Sequence, residues 1–258
     1  MLFVIDAGNT NIVLGAYRGD DLVESWRIGT KKGRTADEYG ILIRELLKVS
    51  GLDYKDIKDI ILSSVVPPLD SVIIEMSEKY FNVKPMIVGP GLKCGIPILC
   101  ENPKEVGADR IVNAVAVLKR FKGPVIVVDF GTATTFDLIT AKGEYCGGVI
   151  APGIGISIEA LFDKASKLPK VDLVKPKKVI GKNTSESIQS GIIYGYVGLV
   201  EGIVAKIKEE AGVEAIVVAT GGLAPLIAAE TSSIDEVVDK LTLEGLKEIF
   251  ELNRGRAN

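Results

Sequence analysis

One strand-turn-strand pattern occurs twice in this sequence, and this repetition most restricts the fold. Residues 4–17, VIDAGNTNIVLGAY, and residues 127–140, VVDFGTATTFDLIT, both run from an apolar strand through Asp-x-Gly into a second extended segment. An overlay without a gap places Val4 on Val127, Asp6 on Asp129 and Gly8 on Gly131. Because helices are expected at similar distances after both copies, we predict an internal duplication of one α/β domain.

The hydrophobic pattern predicts the element order βββαβαβ for the first half. A capping box, TADE at 35–38, opens a helix that ends near Ser50, and Pro67 and Pro68 open the next helix. The Gly- and Pro-rich residues 90–104 read as a connection to a further helix at about 104–120. We therefore predict two domains, 1–115 and 116–258.

Composition removes several classes of function. The chain has no histidine, which excludes Ser/His/Asp triads, imidazole bases and zinc sites that contain histidine. A net charge of −3 makes nucleic acid an unexpected partner. Three cysteines without a CxxC motif favour a reducing compartment, and no apolar run approaches the roughly 20 residues of a membrane span. We expect a cytoplasmic protein without a membrane partner.

The two Asp-x-Gly turns have the residue types of a phosphate site. Backbone N–H groups and small hydroxyls bind phosphate oxygens, and a carboxylate at a strand end can hold Mg²⁺ directly or through water. Two such turns facing each other across a cleft would hold a nucleoside triphosphate from opposite sides. The alternative is a pair of purely structural hairpin turns. A third strand-to-glycine turn, VVATGGLA at 217–224, is a weak signal alone, and the sequence has neither GxxxxGK[ST] nor GxGxxG.

The predicted helix 184–211 carries four glycines at 4-3-4 spacing, Gly191, Gly195, Gly198 and Gly202. This spacing aligns them on one face, where glycine costs helix stability unless a close contact offsets the loss. The contact could lie inside the domain or across a two-fold axis, and we favour a homodimer. Thr184 with the next three residues is expected to cap the helix, where its positive end would suit a carboxylate.

Five motifs together resemble a known family: DAGNTN, GADR at 107–110, DFGTATTFD, GGVIAPG at 147–153 and ATGGLA. The chain resembles type III pantothenate kinase, the CoaX family of the actin and hexokinase superfamily, over nearly its whole length. The resemblance implies an α/β fold of two duplicated RNase H-like (actin-like ATPase) domains with a central interdomain cleft. It also implies ATP-dependent phosphorylation of pantothenate to 4′-phosphopantothenate, the first step of coenzyme A synthesis.

The resemblance also assigns residues. Those assigned to ATP are Asp6, Ala7, Gly8, Asn9, Thr10, Asn11, Ile12, Val13 and Thr132. A monovalent cation, potassium or ammonium, falls on Asp129, and Asp6 is a candidate for Mg²⁺. Those assigned to pantothenate are Gly107, Ala108, Asp109, Arg110 and Thr184, the last supplied by the second subunit of a dimer.

The residue chemistry agrees with Asp109 as the proton acceptor. Without histidine, a carboxylate must orient or deprotonate the attacking hydroxyl. Because Arg110 is adjacent, we expect Asp109 to have a low pKa, and Arg110 to offer paired donors to pantothenate. Many relatives have an aromatic residue where this chain has Cys100, so the thiol either enlarges the pantothenate pocket or is a core residue.

Two other functions fit the same fold. One is a kinase that acts on acetate or a sugar, and the other is a non-catalytic actin-like regulatory protein. Asp6, Asp109, Arg110 and Asp129 are all present, which favours an enzyme over a regulator freed from catalysis.

Overall fold

The structure, a computed structural model, describes residues 1–165 and 168–255. It divides the chain into two compact units. Unit 1 consists of Met1–Ile96, Glu101–Lys119 and the chain from Lys240 onward, and unit 2 consists of Pro97–Cys100 and Arg120–Asp239. The division thus falls after Lys119 rather than after residue 115. The last helix belongs to unit 1 and not to the second domain of the sequence analysis, because its apolar face packs in the core of unit 1.

Unit 1 contains a five-stranded mixed sheet. Its strands are β1 (Leu2–Ala7), β2 (Asn11–Arg18), β3 (Asp21–Gly29), β4 (Asp59–Ser64) and β5 (Met86–Ile87). They lie in the order β3-β2-β1-β4-β5. The first three form an antiparallel meander, whereas β4 is parallel to β1 and β5 is parallel to β4. The predicted hairpin and third strand are confirmed.

Helices cover both faces of this sheet. They are α1 (Ala36–Val49), α2 (Pro67–Phe81), α3 (Ala108–Arg120) and α7 (Leu241–Asn253), the number of the last following chain order. One core joins α1 and α2 to the β1 side chains Phe3, Ile5 and Ala7. The other core joins α3 and α7 to Leu2 and Val4. Alternate residues of β1 therefore serve opposite cores, as the two-residue period of a strand requires.

Local signals position the helix starts of unit 1. The Thr35 side chain accepts from the Glu38 backbone N–H at 3.3 Å, and Glu38 accepts from the Thr35 N–H at 2.8 Å. This is the predicted capping box, and α2 begins at Pro67 as expected. The third helix starts at Ala108 rather than near residue 104, because Pro103–Glu105 form a separate 3₁₀ turn with Asn102 as its cap.

Unit 2 contains a second five-stranded mixed sheet. Its strands are β6 (Val125–Phe130), β7 (Ala133–Ile139), β8 (Tyr145–Pro152), β9 (Ile216–Thr220) and β10 (Glu236–Val237). Read from β8, their order is β8-β7-β6-β9-β10. Again the first three are antiparallel neighbours and the last two join in parallel. The two sheets thus have the same strand order and directions, and the fold class is α/β.

Three helices accompany the second sheet. They are α4 (Ile154–Lys164), α5 (Thr184–Ala211) and α6 (Ala224–Ala228). The core contains Ile126, Val128 and Phe130 of β6 with one face of α5, including Ile193 and Val200. By length and composition α5 is also apolar enough to cross a membrane. Its packing in the core of unit 2 accounts for part of that hydrophobicity.

The two hairpins differ by one residue. Asp6 pairs with Val13 in the first, whereas Asp129 pairs with Thr135 in the second. The connection between the paired strands is one residue shorter in unit 2, so the gapless overlay fails after the turn. A shift of one residue moves a side chain to the opposite face of a strand. By sheet position, the counterpart of Asp137 is therefore Gly15, since Val4 pairs with Gly15 as Val127 pairs with Asp137.

Replacing Gly245 with Ala tests the packing of α7 in unit 1. A Cβ at this position would overlap the backbone carbonyl oxygen of Val112 and lie 2.8 Å from its carbonyl carbon. We expect Gly245→Ala to lower the free energy of unfolding by roughly 1–3 kcal/mol, because α7 must move away from α3. Denaturant unfolding measures this loss. Gly155→Ala, at an exposed glycine of α4 with open space around it, is the control and should cost nothing. Equal stability of the two variants would contradict this packing.

Candidate active site

The first phosphate-type turn connects β1 to β2. Asp6 is the penultimate residue of β1 and is half-buried, while Asn9 and Thr10 are exposed. The Gly8 N–H donates to the Asn11 carbonyl at 3.0 Å. Thr30 then holds the turn from outside, since its hydroxyl donates to the Gly8 carbonyl at 2.7 Å and its N–H to the Thr10 carbonyl at 2.9 Å. The turn is thus rigid while its tip remains open to solvent.

Asp109 is the second residue of α3, in the predicted GADR segment. Its Oδ1 accepts from the Arg110 N–H at 2.8 Å and lies 2.5 Å from where a Cβ on Gly107 would be. Glycine at 107 therefore makes room for this carboxylate. Burial raises the pKa of Asp109, although the Arg110 N–H and guanidinium act in the opposite direction. Our expectation of a low pKa is wrong, because desolvation outweighs the adjacent positive charge.

The first turn and the GADR segment meet at the same edge of the unit 1 sheet. The Val65 N–H donates to the Ala7 carbonyl at 3.1 Å, directly after Asp6. The side chain of Val65 also lies 3.7 Å from the Cβ position of Gly107. The first contact continues the parallel pairing of β1 with β4, which ends the two strands side by side. Unit 1 therefore brings together the residues assigned to ATP at 6–13 and those assigned to pantothenate at 107–110.

The second turn, between β6 and β7, is enclosed by glycines of unit 2. Asp129 is half-buried near the end of β6, and Thr132 is exposed. A Cβ on Gly153 would overlap the Thr132 carbonyl oxygen. A Cβ on Gly221 would lie 2.8 Å from Asp129 Oδ1, and Gly221 also has a positive φ of 93°. The GGVIAPG and ATGGLA motifs thus supply the two positions where only glycine fits against the turn.

Each Asp has a hydroxyl residue beside it on the neighbouring parallel strand, which the sequence analysis missed. Ser63 pairs with Asp6, and Thr220 pairs with Asp129. The Thr220 hydroxyl donates to the Val238 carbonyl at 2.8 Å. The Ser63 hydroxyl is fully buried and has no hydrogen-bond partner among the described residues, so it can serve a ligand or water at the Asp6 turn. Strand register alone could have revealed these neighbours.

The other predicted residues lie in unit 2. Cys100 is half-buried, and its sulfur is 3.7 Å from the Cβ position of Gly147. Thr184 is exposed in the first turn of α5. The cap of that helix is Asn183 rather than Thr184, since the Asn183 side chain accepts from the Glu186 N–H at 2.9 Å. Thr184 is therefore one residue inside the helix, with its hydroxyl free of the capping role.

Within the described ranges, 1–165 and 168–255, no group of three or more Cys, Asp or Glu side chains could hold a metal by itself. A magnesium ion commonly binds one or two carboxylates and completes its coordination with water and substrate phosphates. The half-buried Asp6, with the buried Ser63 hydroxyl beside it, fits this second kind of site. A divalent ion here would arrive with its nucleotide.

The fold is that of known sugar kinases. A protein from Sinorhizobium meliloti described as a 2-dehydro-3-deoxygalactonokinase matches with a TM-score of 0.63 at 12% identity, over 100% of this chain and 98% of that one. ROK hexokinase from Thermus thermophilus matches with a TM-score of 0.51 at 13% identity, over 98% and 99%. A Campylobacter jejuni protein described as a Baf family transcriptional activator matches with a TM-score of 0.59 at 18% identity, over 97% and 98%.

Sequence comparison identifies the family to which this chain belongs. The type III pantothenate kinase family model matches residues 2–206. Proteins named type III pantothenate kinase from Geotalea daltonii and Geobacter sulfurreducens are each 58% identical over 254 residues, which is 98% of this chain and 99% and 100% of theirs. The chain belongs to the type III pantothenate kinase family.

Proposed function

We propose that this protein transfers the γ-phosphoryl group of ATP to the primary hydroxyl of pantothenate, which yields 4′-phosphopantothenate at the start of coenzyme A synthesis. The observation that carries the proposal is that Val65 bonds to Ala7, beside Asp6, and also lies next to Gly107, against which the Asp109 carboxylate packs. Phosphoryl transfer needs phosphate ligands and a proton acceptor at one place. Family membership supplies the substrates.

Asp109 is the proposed proton acceptor. The pantothenate hydroxyl oxygen forms a bond to the γ-phosphorus, the bond to the β,γ-bridging oxygen breaks, and the hydroxyl proton passes to Asp109 while ADP leaves. A carboxylate with a raised pKa is a stronger base than an ordinary one, although a loose transition state requires little base strength. Arg110, next to it, offers paired donors to pantothenate oxygens.

The turn at 6–13 and Thr132 are the proposed ligands of the ATP phosphates. Asn9, Thr10 and Thr132 are exposed at the tips of the two turns, where small polar side chains can bind phosphate oxygens. Asp6 is the proposed holder of magnesium, which supplies charge neutralisation when bound with ATP. Asp129 is the proposed site of a monovalent cation, an assignment that rests on the family resemblance. Its half-buried carboxylate in a glycine-lined turn is compatible with that task.

A homodimer is part of the proposal. The four glycines of α5 are exposed, and a Cβ on each would meet nothing within 4 Å. At 100° per residue they lie opposite the buried face that contains Ile193, Val200 and Val204. The alternative of a tight contact inside the unit is therefore not supported. Helix α4 adds exposed apolar side chains, Ile156, Leu161 and Phe162. Thr184 would then act on pantothenate from the second subunit.

A cytoplasmic location completes the proposal. The three cysteines are free thiols, as is typical of a reducing compartment.

The choice of acceptor is tested with purified protein, ATP and Mg²⁺. We expect ADP release with pantothenate and none above background with acetate or glucose, and we expect potassium to stimulate the reaction. A coupled ADP assay with and without KCl measures this. Phosphorylation of acetate or a sugar would instead establish the second kinase hypothesis. If no ATP is consumed with any of these acceptors, the result would favour the non-catalytic regulatory protein.

Replacing Asp109 with Asn tests the proton acceptor. We expect kcat to fall by about 10²–10⁴, because the base is lost while size and polarity are kept. The ATP affinity measured by calorimetry should hardly change.

The pH dependence of the wild type adds a second test of Asp109. The carboxylate is active when deprotonated, so kcat/KM should fall as pH drops through its raised pKa, above the usual value of about 3.9. Asp37→Asn is the control, because Asp37 is exposed and its pKa is lowered by Lys79 and Tyr80. The control should keep the acidic limb. The assignment fails if Asp109→Asn retains near-normal turnover or loses it only through ATP binding.

Replacing Gly195 with Leu tests the dimer. A bulky side chain on the glycine face should weaken association by at least tenfold, since packing there needs close approach of two backbones. Light scattering over a dilution series gives the dissociation constant. Glu210→Leu, at an exposed position on the side of α5, is the matched control and should associate like wild type. An unchanged dissociation constant for Gly195→Leu would mean that another surface forms the dimer, or that none does.

A further inference from the structure

Asp137 is a buried acidic residue with no task in the reaction proposed above. It lies in β7 and is 1% exposed. Buried carboxylates are rare unless they are paired, because removal from water costs more than most contacts return. An apolar residue would serve the core at lower cost. The presence of Asp137 therefore requires an explanation beyond folding.

The contacts of Asp137 lead to Tyr145, the first residue of β8. The Tyr145 hydroxyl donates to Asp137 Oδ1 at 2.5 Å, and the Thr135 hydroxyl donates to Oδ2 at 3.4 Å. Tyr145 is 1% exposed, so its phenol bond is shielded from water. A short charge-assisted bond in a buried setting fixes the orientation of the whole ring.

The same sheet positions in unit 1 are apolar. The counterpart of Asp137 is Gly15, and the counterpart of Tyr145 is Leu22, because Tyr17 pairs with Leu22 as Ile139 pairs with Tyr145. A Cβ on Gly15 would lie 3.2 Å from Leu22 Cδ1 and 3.1 Å from Leu243 Cδ1 of α7. A sheet of this topology is thus built without a polar pair at this place. The pair in unit 2 serves something specific to unit 2.

The backbone of Tyr145 is hydrogen-bonded to residues 97–99, which precede Cys100 and the GADR segment assigned to pantothenate. Its N–H donates to the Pro97 carbonyl at 2.8 Å, and its carbonyl accepts from the Leu99 N–H at 2.8 Å. These two bonds form a parallel bridge with Ile98. Cys100 follows at once, and seven residues later the chain reaches Gly107. Asp137 thus fixes the ring of Tyr145, and the backbone of Tyr145 anchors residues 97–99, which lead to Cys100 and the GADR segment.

We propose that Asp137 and Tyr145 are positioning residues for the pantothenate side of the site, an inference that rests on the proposed function. They act through residues 97–100 and touch neither reacting group. Their loss should loosen contacts that the enzyme makes equally with bound substrate and transition state. Such a loss raises KM and leaves kcat nearly unchanged.

The test compares Tyr145→Phe with wild type. We expect the KM for pantothenate to rise about tenfold, the effect of one lost hydrogen bond. Both kcat and the KM for ATP should stay within about twofold, since neither turn at Asp6 or Asp129 is altered. Asp137→Asn keeps an acceptor oxygen for the phenol, so its KM for pantothenate should rise less than that of Tyr145→Phe. Assays are run well below the unfolding midpoint of each variant.

Tyr80→Phe is the matched control. The Tyr80 hydroxyl also donates to a carboxylate, Asp37 Oδ1 at 2.8 Å, but between α2 and α1 of unit 1. The KM of the Tyr80→Phe variant for pantothenate should equal that of wild type.

The outcomes separate cleanly. An unchanged KM for pantothenate in Tyr145→Phe, or a parallel loss of kcat and ATP affinity, overturns the inference. If Tyr145→Phe does not fold, Asp137→Asn decides: a selective rise in the KM for pantothenate supports the inference, and no rise overturns it. A wild-type protein without pantothenate kinase activity would refute the proposed function itself.

Discussion

The pairing of one central strand in each sheet determines where chemistry can occur. The strand has an antiparallel neighbour on one side, reached through a tight turn, and a parallel neighbour on the other. Its carboxyl end therefore lies between a tight turn and the end of a second strand. An Asp as the penultimate residue is fixed in direction by hydrogen bonds on both sides. In unit 1 the Asp at this strand end lies beside Ser63, and in unit 2 it lies beside Thr220.

Much of this arrangement could be predicted from the sequence, because its signals are local. The apolar strand before Asp6, the capping box at Thr35 and the prolines that open α2 act within a few residues. The overlay of Asp6 on Asp129 also depends only on matching strand ends. Each of these residues behaves as the local chemistry dictates.

The features that escaped prediction depend on contacts between distant segments. The joining of α7 to unit 1 arises from apolar packing between residues far apart in the chain. The one-residue shift in the second hairpin depends on turn length, which a gapless overlay cannot detect. The raised pKa of Asp109 reflects how deeply the folded protein buries a carboxylate whose sequence neighbour is an arginine. Ser63 was missed because a register must be known before a neighbour across a sheet can be named.

The return of α7 to the first unit has a consequence for how the chain folds during synthesis. Except for residues 97–100, unit 2 is one continuous stretch that is translated before Lys240. Unit 1 lacks Leu243, Leu246 and Ile249 from its second core until the residues that follow unit 2 have been synthesised. Domains usually fold in the order of their synthesis. Here unit 1 is the first to be synthesised, but its second core is completed only after unit 2. Until α7 is made, the apolar sheet face that α7 covers is exposed and prone to aggregation.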